Sequence, residues 1–103
     1  MTDIPAGLFQ RWGHSFEEDK ADVQVYRPAG YNFPRTRGRD GIEFRSDGGF
    51  IEWIVGRGDA NEPVAGRWSQ QTTRVLRIEY TGNTGPIRLF EIVELTPEIL
   101  TIR

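Results

Sequence analysis

The sequence predicts an all-β fold: a small antiparallel up-and-down β-barrel of about eight strands with a short N-terminal helical turn, one domain over residues 1–103. Three observations predict it. Apolar and polar residues alternate at period two in most of the chain, as in "GIEFR" and "RVLRIEY". Turn signals rich in Gly, Asn, Asp and Pro separate these segments. Helical periodicity is confined to the first dozen residues. A meander of short hairpins leaves exposed edges, and closing it into a barrel removes them.

The elements follow in order. "DIPAGLFQRW" suits a helical turn with Asp3 as N-cap and Pro5 early in the first turn, placing Leu8, Phe9 and Trp12 on one side. Strands are expected at 12–18, 22–28, 41–45, 50–57, 64–71, 74–80, 87–95 and 98–103. "SDGG" (46–49) and "TGNTGP" (81–86) are hairpin turns, "GDANEP" (58–63) is a longer loop, and "TP" (96–97) makes a short reversal. Residues 28–40, "PAGYNFPRTRGRD", have two prolines and no period, so they form the long connection, expected over one barrel end. The alternation places Leu76, Ile78 and Tyr80 on one face, with Arg77 and Glu79 on the other. In "FIEWIV", Phe50 and Ile54 flank Glu52, while Ile51, Trp53 and Val55 make a second apolar face. Two apolar faces imply a covered exterior, a partner surface or a bulge.

Composition bounds the function. The chain has no cysteine, which removes disulfides, thiolate metal sites and thiol catalysis and fits a reducing compartment. Its start has an acid at Asp3 and no long apolar run, so neither a signal peptide nor a membrane segment is expected, and a cytoplasmic location is. Net charge is −2, which argues against nucleic acid as partner.

An early Trp12, a "DGGF" hairpin at 47–50, Gly66-Arg67-Trp68, then "VLRIEY" and a closing "FEIVELTPEILTI" at 90–102 come in an order that resembles the small bacterial lipocalin-like domains, barrels of the calycin type. Ile92, Leu95, Leu100 and Ile102 of the closing pair carry the most specific part of the likeness. The resemblance implies the barrel across the whole chain; many such domains have no assigned function.

Candidate sites are few. Gly66-Arg67-Trp68 reads as a barrel-closing element, with Trp68 plugging an end and Arg67 over an indole face. His14 is the only histidine, so it reads as a half-exposed strand residue; no metal set and no cofactor are expected. Among Glu52, Glu91 and Glu94, one is expected in solvent and another against Arg88 or Arg77, and no catalytic residue is assigned. The acidic run at 17–22 reads as a solvated hairpin tip. The arginine-rich loop holds the ligand site: Tyr31, Phe33 and Trp53 as aromatic contacts, and Arg35, Arg37 or Arg39 for an anionic group. The alternative is that these arginines pair with the protein's own acids, the 17–22 run included.

The expected function is therefore non-enzymatic: binding of a small amphipathic or anionic ligand at an open barrel end. The alternative is a protein-interaction or homodimerisation module with a filled barrel, using the 50–55 strand and the loop. A lined interior of roughly 300 Å³ or more favours the first reading, a filled one the second.

Overall fold

Period two builds the wall. In β6 (Val75–Tyr80), Leu76 and Ile78 are buried while Glu79 is exposed. The other strands are β1 (Arg11–His14), β2 (Gln24–Pro28), β3 (Gly41–Phe44), β4 (Gly49–Val55), β5 (Asn61–Gln70), β7 (Arg88–Thr96) and β8 (Ile99–Ile102); in β8 the alternation gives way, and Leu100, Thr101 and Ile102 are all buried. A computed structural model describes residues 4–36, 38–56, 58, 60–81 and 87–103. Its eight strands close into an antiparallel barrel in the order β1-β2-β8-β7-β6-β5-β4-β3. No described helix is long and apolar enough to cross a membrane.

The meander runs unbroken from β3 to β8. Closure is made by the β1–β2 hairpin, with β2 against β8 and β1 against β3. β2 and β3 thus run in the same direction on either side of β1. The chain between them must return along the barrel and cross β1, which is why this connection is long.

Registers fix which residues face inward. Trp12 opposes Ile42, Phe44 opposes Phe50, Trp68 opposes Ile78, and Leu76 opposes Phe90. Trp12, Phe44, Phe50, Leu76, Ile78, Leu100 and Ile102 are each at most 2 % exposed, so side chains fill the interior. A bulge between Ile92 and Glu94 lets Leu95 rejoin Leu100 on the inner face.

One barrel end is plugged by the N-terminal segment. A single 3-10 turn (Ala6–Leu8) stands where the helical turn is expected, with Pro5 at its N-cap; Asp3 lies outside the described residues. Leu8 is fully buried and accepts a hydrogen bond from Trp12 Nε1 at 3.0 Å. Phe9 stacks on Trp68 at 5.8 Å, and Trp68 Nε1 donates to the Arg45 carbonyl at 2.7 Å. Trp68 thus serves the plugged end as expected, while Arg67 lies beside Gly48, whose φ of 95° makes the Asp47-Gly48 turn.

Two segments differ from the sequence expectation. The first strand stops at His14, and Phe16–Glu18 form a second 3-10 turn, because the Ser15 hydroxyl donates to Glu18 at 2.7 Å and closes the turn on itself. β5 begins at Asn61, so Asn61-Glu62-Pro63 belong to a strand rather than a loop. Pro63 is tolerated there because β6 pairs with β5 only from Gly66 onward, leaving residues 61–63 with β4 as their one strand neighbour.

Candidate functional site: a cleft under the crossover loop

Residues 29–36 and 38–40 lie on the outer wall of β1 rather than across a barrel end. Trp12 and His14 point inward, so Gly13 points out. A Cβ on Gly13 would meet the Phe33 ring at 2.7 Å, so the loop crosses β1 here and needs a residue without a side chain. Tyr31 packs edge-on against Phe33 at 4.9 Å, and the Arg27 guanidinium lies over Tyr31 at 5.1 Å.

Arg39 fastens the loop. Its guanidinium lies between the Phe16 and Phe33 rings, at 4.8 Å and 4.5 Å. It donates to both carboxylate oxygens of Glu17 at 2.8 Å, to the His14 carbonyl at 2.8 Å and to the Pro34 carbonyl at 2.9 Å. The hydrogen bond to Arg39 holds the Glu17 carboxyl below its usual range, and the same bond raises Arg39. Arg27 does likewise with Glu18: its bond, with that from Ser15, pulls the Glu18 carboxyl down to about 2. The acidic run is therefore no free hairpin tip. Glu17 and Glu18 each hold an arginine, and Asp19 holds His14.

His14 ties the end of this loop to the β1–β2 connection. Its Nδ1 lies 2.8 Å from Asp40 Oδ2, and its Nε2 lies 2.9 Å from Asp19 Oδ2. The ring stacks on Tyr26 at 4.8 Å and is 12 % exposed. Burial pulls its pKa down, but the bonds and charges of Asp40 and Asp19 outweigh that, and it sits above the usual histidine value. Both ring nitrogens are thus engaged by carboxylates.

Between the loop and the wall lies a cleft of about 600 Å³. Phe33, Pro34, Arg35, Arg39, Asp40, Arg11 and Asn61 line it. Arg39 and Asp40 are neutralised by their own partners. Arg11 and Arg35 have no carboxylate partner among the described residues. The Arg11 guanidinium lies 4.1 Å over the Trp53 ring, on the outer face of β4, and the Trp53 Nε1 has no hydrogen-bond partner.

Of the six residues expected to form the site, Phe33, Arg35 and Arg39 line the cleft. Tyr31 stacks behind Phe33, Trp53 sits under Arg11, and Arg37 lies outside the described residues. Sequence reasoning missed Arg11 and Gly13. The signal was present: with Trp12 assigned to the core, its neighbours Arg11 and Gly13 fall together on the outer face.

A second polar group caps the interior at the end away from the plug. Tyr80 donates to Glu52 at 2.7 Å, and Arg88 Nη1 reaches the Tyr80 hydroxyl at 2.9 Å and Glu52 Oε1 at 3.3 Å. This is the expected pairing of one of the three glutamates with Arg88. Burial raises the Tyr80 hydroxyl and works against the charge on Arg88, but the Tyr80 bond and Glu52 outweigh it and raise Arg88 too. Among the described residues no group of three His, Cys, Asp or Glu could hold a metal ion. No protein-family model matches the chain, and neither the curated proteins nor the solved structures include a match to it.

Proposed function

We propose that the protein is a non-enzymatic binding module on a lipocalin-like barrel, taking a small anionic or amphipathic ligand in the crossover cleft. A filled interior leaves no ligand site on the barrel axis and adds weight to the protein-interaction reading, so a small-molecule site has to lie on the wall. The observation that carries this reading is the convergence of Arg11 and Arg35 on one cleft beside an apolar wall of Phe33 and Pro34. Both guanidiniums are donors only, and their planar forks suit a carboxylate or phosphate oxygen pair. The cleft falls within the usual range for small-molecule sites, about 300–1,000 Å³.

Heteronuclear NMR titration with benzoate, benzyl alcohol and inorganic phosphate tests it. Benzoate should shift the amides of residues 11–13, 33, 35 and 36, and benzyl alcohol should bind at least about tenfold more weakly, a difference of about 1.4 kcal/mol. Arg11→Gln and Arg35→Gln should each weaken benzoate. Absence of any shift at these amides with all three probes would overturn the reading.

The protein-interaction alternative keeps two supporting observations, the filled interior and a set of exposed apolar side chains. Trp53 of the expected 50–55 strand is capped by Arg11, but Ile54 and Val55 of that strand are 38 % and 43 % exposed, and Ile87, Leu89 and Val93, in and just before β7, are 48 %, 53 % and 36 % exposed. Light scattering at high concentration decides the homodimer form: a monomer removes it.

A further inference from the structure

A neutral imidazole carries one N–H and one lone pair. His14 has a carboxylate oxygen within 2.9 Å of each ring nitrogen, and the two carboxylates belong to different segments. Only the protonated ring can donate to both. Loss of one proton turns one of these hydrogen bonds into a lone pair facing a carboxylate.

Which bond breaks is set by what else holds each partner. The other oxygen of Asp19 accepts from the Val25 backbone N–H at 2.8 Å, so Asp19 stays docked on β2 whatever His14 does. The Asp40 carbonyl accepts from the His14 backbone N–H at 2.8 Å, so its backbone stays on β1, but its side chain has no bond other than those to His14 among the described residues and is the more exposed of the two carboxylates, 43 % against 27 %. The retained proton therefore stays on Nε2, facing Asp19, and Nδ1 repels Asp40. Asp40 ends the crossover loop and lines the cleft.

We propose that His14 is a proton-operated latch on the side chain that ends the crossover loop: protonated, it holds and neutralises the Asp40 carboxylate at the cleft; neutral, it frees that carboxylate as an unpaired charge that disfavours an anionic ligand. The ligand step rests on the reading above, whereas the latch can be observed without ligand.

The groups facing His14 are Asp19, Glu17, Arg39 and Asp40, with Tyr26 stacked beneath and Phe16 at its edge. Tyr26 and Arg39 lie above their ordinary values and Glu17 below its own, so none of these three changes charge across neutral pH. The Arg39–Glu17 pair and the backbone bond from His14 N–H to the Asp40 carbonyl therefore persist, and the release is confined to the Asp40 side chain.

The test is an NMR pH titration of the ¹⁵N-labelled full chain without ligand, following the His14 ring nitrogens and the backbone amides, then repeated with benzoate. The amides of residues 38–41 should move with the His14 midpoint, while those of Asp19 and Val25 stay still. Asp40→Asn should lower that midpoint, and Asp19→Asn should lower it while freeing the other segment. Benzoate affinity should fall about tenfold per pH unit above the midpoint, as one linked proton requires. Loop amides that stay still while His14 titrates, or movement of the Asp19 segment instead, would overturn the latch. Benzoate affinity that does not change through the midpoint would overturn its link to binding. Movement of the loop amides without benzoate binding at any pH would uphold the latch and overturn the ligand reading.

Discussion

The two ends of the barrel are sealed by opposite chemistry. At one, Leu8, Phe9 and Trp68 bury apolar surface against the core. At the other, Glu52, Tyr80 and Arg88 form one hydrogen-bonded group, and His14 binds two aspartates nearby. Apolar burial is insensitive to pH and salt, whereas paired charges gain stability only when every partner is present and in the right protonation state. The difference divides the molecule into an end that holds the fold and an end that can respond.

Truncating the plug should give the largest effect. Leu8→Ala leaves a void under the 3-10 turn and removes a fully buried side chain, which should cost about 2–5 kcal/mol of unfolding free energy in urea. A loss below about 1 kcal/mol would mean that the N-terminal segment only lies against the barrel. At the polar end, Arg88→Met strands Glu52, which is one-quarter exposed, beside Tyr80. Solvent reaches both side chains and discounts the penalty, so about 1–2 kcal/mol is expected. Combining Glu52→Gln with Arg88→Met should recover part of it, since the double variant leaves no charge unpaired at this end.

The contrast also decides what could be read from the sequence. Much of the core was legible because strands such as β6 write their inner face in period two: Leu76 and Ile78 need no knowledge of the rest of the chain. The Glu52–Arg88 pair was half legible, since a lone acid on an apolar face demands a partner but does not say which. The His14 latch was not legible. It joins Asp19 and Asp40 from two connections, and only the placement of β1 between β2 and β3 brings them to one ring. The same strand order moved the arginine loop from the barrel end to the wall. One local mark went unused: Ser15 three residues before Glu18 is the spacing of a helical start, and it ends β1 at His14.

Gly13→Ala sharpens the comparison at the point where loop and wall meet. The new Cβ would press on the end of the Phe33 ring at 2.7 Å, and that ring is held from its other side by Arg39. Displacement of the ring should cost about 1 kcal/mol and loosen the loop while the core stays intact. Phe33→Leu in the same chain should relieve the contact. Hydrogen exchange confined to residues 29–40 is the expected signature; faster exchange in β6 or β7 would show that loop and core are one unit.

The smallest effects are in the pH profile, and their signs differ. His14 titrates above its unfolded value, so its contribution is complete below about pH 6.5 and is lost as pH rises through the folded value. Glu18 is pulled down to about 2, so its contribution is present above the ordinary glutamate range, near 4.5, and is lost as pH falls toward 2. The stability curve should therefore fall on both sides for separate reasons. Glu18→Gln should flatten only the acid limb, and Asp40→Asn should flatten the alkaline limb, because an amide opposite Nδ1 carries no charge to repel the neutral ring. If Asp40→Asn instead flattened the acid limb alone, Asp40 would be acting as an ordinary surface acid and the polar end would not respond to pH through His14.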